Sequence, residues 1–333
     1  MSKEKVVKKE EPQKKNSKAI DAAIAALAKR FGEPVAMRMS DANTGIDTFS
    51  TGRADLDIAL GGGYAVGKII EIFAQSGAGK TGLALEAIRE IQRAGGLALI
   101  IDAEHALNTE YCASIGVNVD DLLVSQPSHG EQAFETIRAF INTAEVDLIV
   151  VDSVSALVPK AELEGESGEA KIAVQARMMS QGMKLIAGPA STVGCTIIFI
   201  NQLRKTIAMY GPAETTSGGM ALKFYASQRL EVKNKGQIKE GEDVIGFKQQ
   251  ITSVKNKVAP PFKVIENNIT YGIGVDDFPG LIESLVFEEI LEKAGAWFKY
   301  KGSNIAQGIK KLRVVLGDNP ELYEELKTTL KNK

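Results

Sequence analysis

Lys80 and Thr81 follow two glycines in the stretch Ala74-Gln75-Ser76-Gly77-Ala78-Gly79-Lys80-Thr81-Gly82. These residue types at this spacing suit the binding of a phosphate chain. Gly77 and Gly79 let the backbone curl closely around phosphate oxygens. The N–H groups from Gln75 to Gly82 point at an anion, which the dipole of the following helix favours. The Lys80 ammonium reaches terminal phosphates, and the Thr81 hydroxyl suits Mg2+. Two carboxylates complete the chemistry. Asp152 ends the apolar run Leu148-Ile149-Val150-Val151, the form of the second acidic motif that orients Mg2+ in phosphate-loop ATPases. Glu104 lies just beyond the strand-ending Asp102 and is placed to polarise a water for attack on a γ-phosphate. Plainer readings exist: a surface lysine, an aspartate capping a helix, a surface carboxylate. Gly-Lys-Thr at a strand–helix junction favours the phosphate reading. The strict motif fails at its first position, where Ala74 replaces glycine; an alanine fits there if it ends the strand with negative φ.

The elements that position these groups alternate. Ile69-Ile70-Glu71-Ile72-Phe73 reads as a buried strand, and Leu83, Leu85, Ala87 and Ile88 fall at helical spacing after it. Strands follow at 97–101, 122–125, 146–151 and 196–200, with helices at 108–115, 130–143 and 173–186 between them; later strands are expected at 229–233, 249–255 and 263–270. This order implies an α/β fold with a mainly parallel central sheet flanked by helices, which binds ligands at the carboxyl ends of its strands. The motifs all fall at such ends. Before the core, residues 1–18 read as a lysine- and glutamate-rich disordered arm, and 19–31 as a helix with the stripe Ile20, Ile24, Leu27, Phe31. That stripe packs on its own domain or on a neighbouring subunit. Residues 32–47 form a linker, 56–60 a short helix and Gly61-Gly62-Gly63-Tyr64 a turn. The stretch 281–333 has the texture of a small C-terminal α/β lobe, with a helix carrying Leu285, Val286, Ile290 and Leu291, a strand at 296–300 and a helix at 320–331. The expected divisions are 1–42, an arm and oligomerisation helix; 43–276, the core; and 277–333, the lobe.

Composition sets outer limits. The chain has 333 residues, 44% hydrophobic and 25% charged, ordinary for a globular protein. A net charge of −2 gives no bulk attraction for nucleic acid, so any DNA contact must come from local loops. Cys112 and Cys195 form no CxxC pair, which with buried thiols fits a reducing cytoplasm. Two histidines, His105 and His129, make a histidine-based metal site a poor prospect. No apolar run suggests a membrane span or a signal peptide.

Longer matches name a family. Asp102-Ala103-Glu104-His105-Ala106-Leu107, Val150-Val151-Asp152-Ser153-Val154, Ala176-Arg177-Met178-Met179-Ser180-Gln181, Phe199-Ile200-Asn201-Gln202, Ala221-Leu222-Lys223-Phe224-Tyr225-Ala226-Ser227 and Val254-Lys255-Asn256-Lys257 resemble the bacterial RecA recombinase family in order, from about residue 19 to about 330; Lys293-Ala294-Gly295-Ala296-Trp297 extends the match into the last lobe. The resemblance implies a DNA-dependent ATPase that forms a helical filament on single-stranded DNA, pairs it with homologous duplex and exchanges strands. It also implies a role in repressor self-cleavage in the DNA-damage response. The implied partners are single- and double-stranded DNA, further copies of the chain, a LexA-like repressor and recombination mediators. The implied cofactors are ATP and Mg2+. Residue by residue, Lys80 and Thr81 bind phosphates and Mg2+, Asp152 orients the metal, and Glu104 activates water. Gln202 senses the γ-phosphate, Tyr111 stacks on adenine, and Asn108 stands where the family usually has an adenine-contacting aspartate. Tyr271 joins the nucleotide-contacting set. Lys255 and Lys257 reach a neighbouring subunit's ATP, beside Lys223 and Phe224 at the same boundary. Two DNA-binding loops are implied. The first, residues 162–173, carries Ile172 as an apolar wedge. The second, 203–220, carries Arg204, Lys205, Gly218 and Gly219, and Arg177 on the helix between them adds a phosphate contact. Read alone, both loops would be flexible linkers.

The chain departs from the family pattern at several points. Ala74 and Gly82 alter the phosphate loop, the second DNA loop is slightly short, and Gln228 stands where the family favours an apolar residue. The sequence ends at Asn332-Lys333 without the acidic tail common in the family, from which weaker autoinhibition is expected. Lys299, Lys301, Lys310, Lys311 and Arg313 form either a duplex-capturing patch or a solvated charged face. Two other classes stay open at this stage. A ring-forming phosphate-loop motor would carry an extra domain and lack the matches at 221–227 and 255–257. A nucleotide-gated scaffold without hydrolysis would follow if Ala74 and Gly82 abolish turnover, though the retained Glu104 argues against it.

Overall fold

The computed structural model describes residues 17–32, 34–40, 45–165, 171–205, 214–272, 274–276 and 278–331. The chain divides into two compact units, residues 1–46 and 47–333. In the first, helix α1 (Ser17–Phe31) begins two residues earlier than its apolar stripe suggests. Arg38 reaches back to pair with Asp21 of this helix at 2.6 Å.

The second unit opens with a two-strand ribbon, β1 (Thr48–Phe49) and β2 (Tyr64–Ala65), around helix α2 (Ala54–Leu60). The alternating part follows: β3 (Ile69–Ala74), α3 (Lys80–Arg93), β4 (Ala98–Asp102), α4 (Thr109–Ile115), β5 (Leu123–Ser125), α5 (Gly130–Thr143), β6 (Leu148–Asp152), α6 (Lys160–Leu163), α7 (Lys171–Val193) and β7 (Thr196–Lys205). Then come β8 (Glu214–Thr216), α8 (Ala221–Tyr225), β9 (Gln228–Glu240), β10 (Asp243–Asn256), β11 (Val264–Thr270) and β12 (Gly274–Asp276). Among the described residues the main path of the large sheet runs β12-β11-β10-β9-β3-β7-β6-β4-β5. Every pair from β9 through β3 to β5 is parallel, while β9 to β12 add on antiparallel.

The parallel strands are buried on both faces, so their apolar runs are continuous and their side chains alternate between two cores. Ile70, Ile72, Ile100, Val150 and Ile198 pack with Leu83, Leu85 and Ile88 of α3 on one face. Ile69, Leu99, Ile101, Ile149, Val151 and Phe199 pack with Phe134 and Ile137 of α5 and Met179 and Met183 of α7 on the other. Each such side chain contributes about 1.5–3 kcal/mol on burial. The register sets Ala74 beside Gln202 and Asp102 beside Asp152, so the chemically distinctive residues meet at one sheet end.

Several elements differ from their expected extents. Helix α7 runs to Val193, through Pro189, instead of ending at 186; Gly194 at φ +80° follows it. Strand β7 continues past Gln202 to Lys205 because Leu203, Arg204 and Lys205 pair antiparallel with β8. The stretch 203–220 is therefore a ladder at its base and not wholly a loop. The stretch 162–173 is also partly helical, at α6 and at the start of α7. Strands β9 and β10 extend well beyond their apolar segments, joined as a long hairpin whose outer part is polar and exposed.

The last lobe has a third core of Phe278, Leu281, Leu285, Phe298, Leu312, Leu316 and Leu326. It comprises α9 (Phe278–Phe287), a sheet of β13 (Glu292–Ala294), β14 (Trp297–Tyr300) and β15 (Ser303–Gln307), then α10 (Ile309–Gly317) and α11 (Pro320–Lys331). Ile290 and Leu291 are not in a helix as expected: Glu289 takes φ +58° and turns the chain into β13. Among the described residues no helix is long and apolar enough to cross a membrane.

Candidate functional site

Strand β3 delivers the chain into the phosphate loop. Ala74 is its last residue, wholly buried and with no positive φ, so the missing glycine costs no strain. Gly77 and Gly79 take φ +73° and +82°, the conformation glycine adopts freely. A Cβ on Gly77 would meet nothing within 4 Å, so the mouth of the loop is open. Gly79 is the N-cap of α3 and no side chain caps that terminus, which leaves its first N–H groups for a ligand.

Lys80 is buried, and its Nζ donates to the Gln75 carbonyl at 3.0 Å. Burial pushes its pKa down, opposed by the nearby Asp152 and Glu104 carboxylates. Thr81 Oγ1 donates to Asp152 Oδ2 at 2.8 Å, bringing α3 and the end of β6 together. Burial pushes the Asp152 carboxyl up to about 6, with the Thr81 hydroxyl holding it down in part. Among the described residues no cluster of three His, Cys, Asp or Glu side chains could hold a metal ion. The site instead offers one hydroxyl and one carboxylate, hard oxygen donors of the kind that share Mg2+ with substrate phosphates.

Glu104 is exposed at the mouth, on a turn tied down by Asp102. Asp102 accepts from the backbone N–H groups of Ala106 and Leu107 at 3.1 and 3.3 Å and from Gln126 Nε2 at 3.0 Å. Glu104 Oε1 accepts from Ser153 Oγ at 2.5 Å and from Gln202 Nε2 at 3.4 Å. Thus β4, β6 and β7 each supply one member of a cluster around a single carboxylate. Asn201, beside Gln202, donates through Nδ2 to Glu71 Oε1 at 2.9 Å and to the Ser217 carbonyl at 3.0 Å. Glu71 is wholly buried and pairs with Arg229, whose guanidinium lies 4.6 Å from the Phe73 ring centroid.

The remaining expected residues divide between this centre and the opposite end of the strands. Tyr111 is half exposed, with its hydroxyl 2.9 Å from where a Cβ on Gly82 would be, so glycine at 82 makes room for it. Asn108 caps α4, accepting the Tyr111 N–H through Oδ1 at 2.8 Å. Tyr271 is exposed and its ring lies 6.1 Å from that of Phe247, which itself abuts Gly79. Lys255 and Lys257 lie at the far end of β10 and just beyond it. Lys255 Nζ donates to the Lys223 and Phe224 carbonyls of α8 at 2.9 and 3.1 Å, and burial together with Lys257 and Arg229 pushes its pKa down.

Arg177 is exposed on α7, and Arg204 on β7. Gly218 and Gly219 take φ +82° and +76° and lie against α7: a Cβ on either would press on Met179 or Ala176. The side chains of Ile172 and Lys205, and the residues at 166–170 and 206–213, lie outside the described set. Of the basic residues in the last lobe, Lys301 pairs with Glu325 at 2.8 Å and Arg313 lies over the Phe278 ring at 4.7 Å.

Sequence reasoning missed the residues behind this centre. Gln228, singled out as out of place, is wholly buried: its Oε1 accepts the Ala65 N–H at 2.9 Å and its Nε2 donates to the Gly63 carbonyl at 3.0 Å. Ser153, and the buried set Arg53, Glu86 and Gln249, carried no local signal of their role.

Two family models and several curated relatives match the chain. The family model described as RecA N-terminal domain matches residues 18–276, and that described as RecA C-terminal domain matches residues 280–333. The curated relatives named Protein RecA from Staphylococcus aureus strains JH9 and Newman are each 47% identical over 320 residues, covering 95% of this chain and 92% of theirs. With both family models matched along almost its whole described length, the chain belongs to the RecA family.

Proposed function

We propose a division of labour among these residues within the activity of the family. The protein is a DNA-dependent ATPase that forms filaments on single-stranded DNA and carries out homologous pairing and strand exchange in recombinational repair and the damage response. Its ATP lies along the phosphate loop, with the N–H groups of Gln75 to Gly82 around the phosphates and the Lys80 ammonium on the terminal ones. Thr81 and Asp152 would hold Mg2+, which when bound would neutralise charge on the phosphate oxygens. A water facing the γ-phosphate gives its proton to Glu104, which Ser153 and Gln202 hold in place. Gln202 also reads the γ-phosphate. Its neighbour Asn201 grips the Ser217 carbonyl, so a shift at Gln202 passes directly to the segment carrying Gly218 and Gly219. Tyr111 stacks on adenine, Asn108 meets its edge, and Tyr271 flanks the nucleotide.

Lys255 and Lys257 reach the nucleotide of the next subunit, and Lys255 exchanges the α8 carbonyls for phosphate oxygens. Their mutual repulsion is offset when a γ-phosphate is present, which couples nucleotide to assembly. An open filament follows from a heterologous interface that does not close. Arg177, Arg204, Lys205, Gly218 and Gly219 contact the DNA backbone, and Ile172 wedges between bases, so base pairing alone reads sequence. The divisions are an arm and oligomerisation helix at 1–42, the ATPase core at 43–276 and a lobe at 277–333. A LexA-like repressor and recombination mediators are partners, and the cytoplasm is the compartment.

One observation carries this reading. Lys80, Thr81, Asp152, Glu104 and Gln202 converge at the carboxyl ends of four adjacent parallel strands. The test is ATP hydrolysis with and without single-stranded DNA, beside Lys80→Ala. Strong stimulation by DNA that vanishes in the variant is expected. DNA binding without hydrolysis in the unaltered protein would replace this reading with a nucleotide-gated scaffold.

A further inference from the structure

We propose that Gln249 is a positioning residue for the phosphate loop, holding it from behind through the Ala78 carbonyl. The inference rests on the reading of this loop as the ATP cradle. A loop that turns its N–H groups toward a ligand turns carbonyls the other way, and a buried carbonyl needs a donor. Ala78 is buried, and Gln249 Nε2 donates to its carbonyl at 2.6 Å.

The orientation of that amide is dictated by chemistry. Arg53 Nη1 donates to Gln249 Oε1 at 2.7 Å, and a guanidinium has no acceptor atom. The oxygen must therefore face Arg53, and the NH2 must face the loop. Arg53 is fixed in turn. Its Nε and Nη2 form a two-point contact with Glu86 of α3 at 2.7 and 3.1 Å. Its Nη1 also donates to Asn267 Oδ1 at 3.2 Å, and Asn267 stands directly opposite Gln249 on β11. Asn267 Nδ2 closes the set on Asp55 at 2.7 Å. Glu86 belongs to the helix that the phosphate loop opens, so the clamp starts and ends on the same strand–loop–helix unit.

The fit is tight. A Cβ on Gly79 would lie 2.5 Å from Gln249 Nε2 and 3.2 Å from Phe247, two residues earlier on β10. Glycine at 79 is thus required by its positive φ and by the strand pressing on it. None of the clamp residues is placed among the groups that meet phosphate.

The experiment uses the full chain and two substitutions. Gln249→Glu keeps the shape and strengthens the contact with Arg53, but its second oxygen has no hydrogen for the Ala78 carbonyl. Gln249→Met keeps the length and removes both bonds. The readouts are KM and kcat for DNA-stimulated ATP hydrolysis, and the melting temperature without nucleotide. For Gln249→Glu the expected result is a KM raised about tenfold with kcat changed less than about threefold, because a misplaced cradle loses phosphate contacts. Its melting temperature falls by several °C, because the Ala78 carbonyl loses its donor and a carboxylate is buried, so KM is read well below the transition. Gln249→Met raises KM similarly. An unchanged KM in Gln249→Glu overturns the proposal, whether or not the melting temperature falls. A lack of hydrolysis in the unaltered protein would instead count against the ATP reading itself.

Discussion

The phosphate loop itself, at the front of the site, is built from residues close in sequence, whereas its back rests on Arg53, Glu86 and Gln249, whose contacts span 33, 171 and 196 positions. On the front, Lys80 and Thr81 follow directly from a strand, two glycines and an uncapped helix start. On the back, a guanidinium, a carboxylate and an amide satisfy one another in the interior. The front is the side to which the chemistry is assigned, and it includes the exposed Glu104. The back contributes stability and shape, and works only if every member is paired.

Breaking the back has the largest expected effect on folding. The Arg53 and Glu86 side chains are 2% and 7% exposed. Removing one partner of such a pair strands the other charge, which costs about 3–5 kcal/mol. Arg53→Met is therefore expected to lower unfolding free energy by that amount in urea titrations. The double change Arg53→Met with Glu86→Leu recovers most of it, because no charge remains unpaired. Equal losses in the single and double variants would contradict this account of the back.

Breaking the front should leave folding alone. Glu104 is exposed, and Glu104→Gln keeps its shape while removing the base. Hydrolysis is expected to fall by about 100-fold or more. ATP-dependent binding to single-stranded DNA, read by fluorescence anisotropy, is expected to persist. Loss of both activities together would show that Glu104 supports the structure of the mouth as well as the reaction.

This contrast explains what could be read from the sequence. The strands β3, β4, β6 and β7 are apolar runs buried on both faces, and their ends carry the distinctive residues, so order and spacing disclosed the parallel sheet and the edge where the proposed site lies. The antiparallel extension was harder. Its strands β9 and β10 run far past their apolar segments into an exposed hairpin, where backbone pairing, and not burial, sets their length. The base of the second DNA segment was read as loop because Arg204 and Lys205 look like loop residues, yet they pair with β8. The lobe's helix α10 has Lys310 and Lys311 ahead of its buried Leu312 and Leu316 and lacks a side-chain cap, so no start signal marked it. Arg53, Glu86 and Gln249 had no local signature, since each acquires its meaning only from a partner far along the chain.

Gln228 sharpens the comparison at a smaller scale, because it is a buried polar residue outside the clamp. Its amide serves the Ala65 N–H and the Gly63 carbonyl, both inside the fold. Gln228→Leu restores the apolar type favoured in the family but orphans both backbone groups, at a cost of about 1–3 kcal/mol. Chemical denaturation measures this. A variant as stable as the parent would mean that the ribbon β1–β2 shifts to satisfy those groups in another way.

The smallest expected effect lies on the front, at Asn108. Its Oδ1 is already committed to the Tyr111 N–H as the cap of α4, so only its NH2 is left to meet a base edge. Asn and Asp cap helices about equally well. Asn108→Asp therefore keeps the cap and adds a charge at a helix N-terminus, a gain of about 0.3–1 kcal/mol. The carboxylate also has a second oxygen free to accept a hydrogen bond from the exocyclic amine of adenine, where the amide offers only a donor. The expected outcome is a small rise in melting temperature with a KM for ATP lowered about twofold to fivefold, the scale of one hydrogen bond. A KM for ATP that rises while stability improves would place the Asn108 amide, and not a carboxylate, as the better partner for the base.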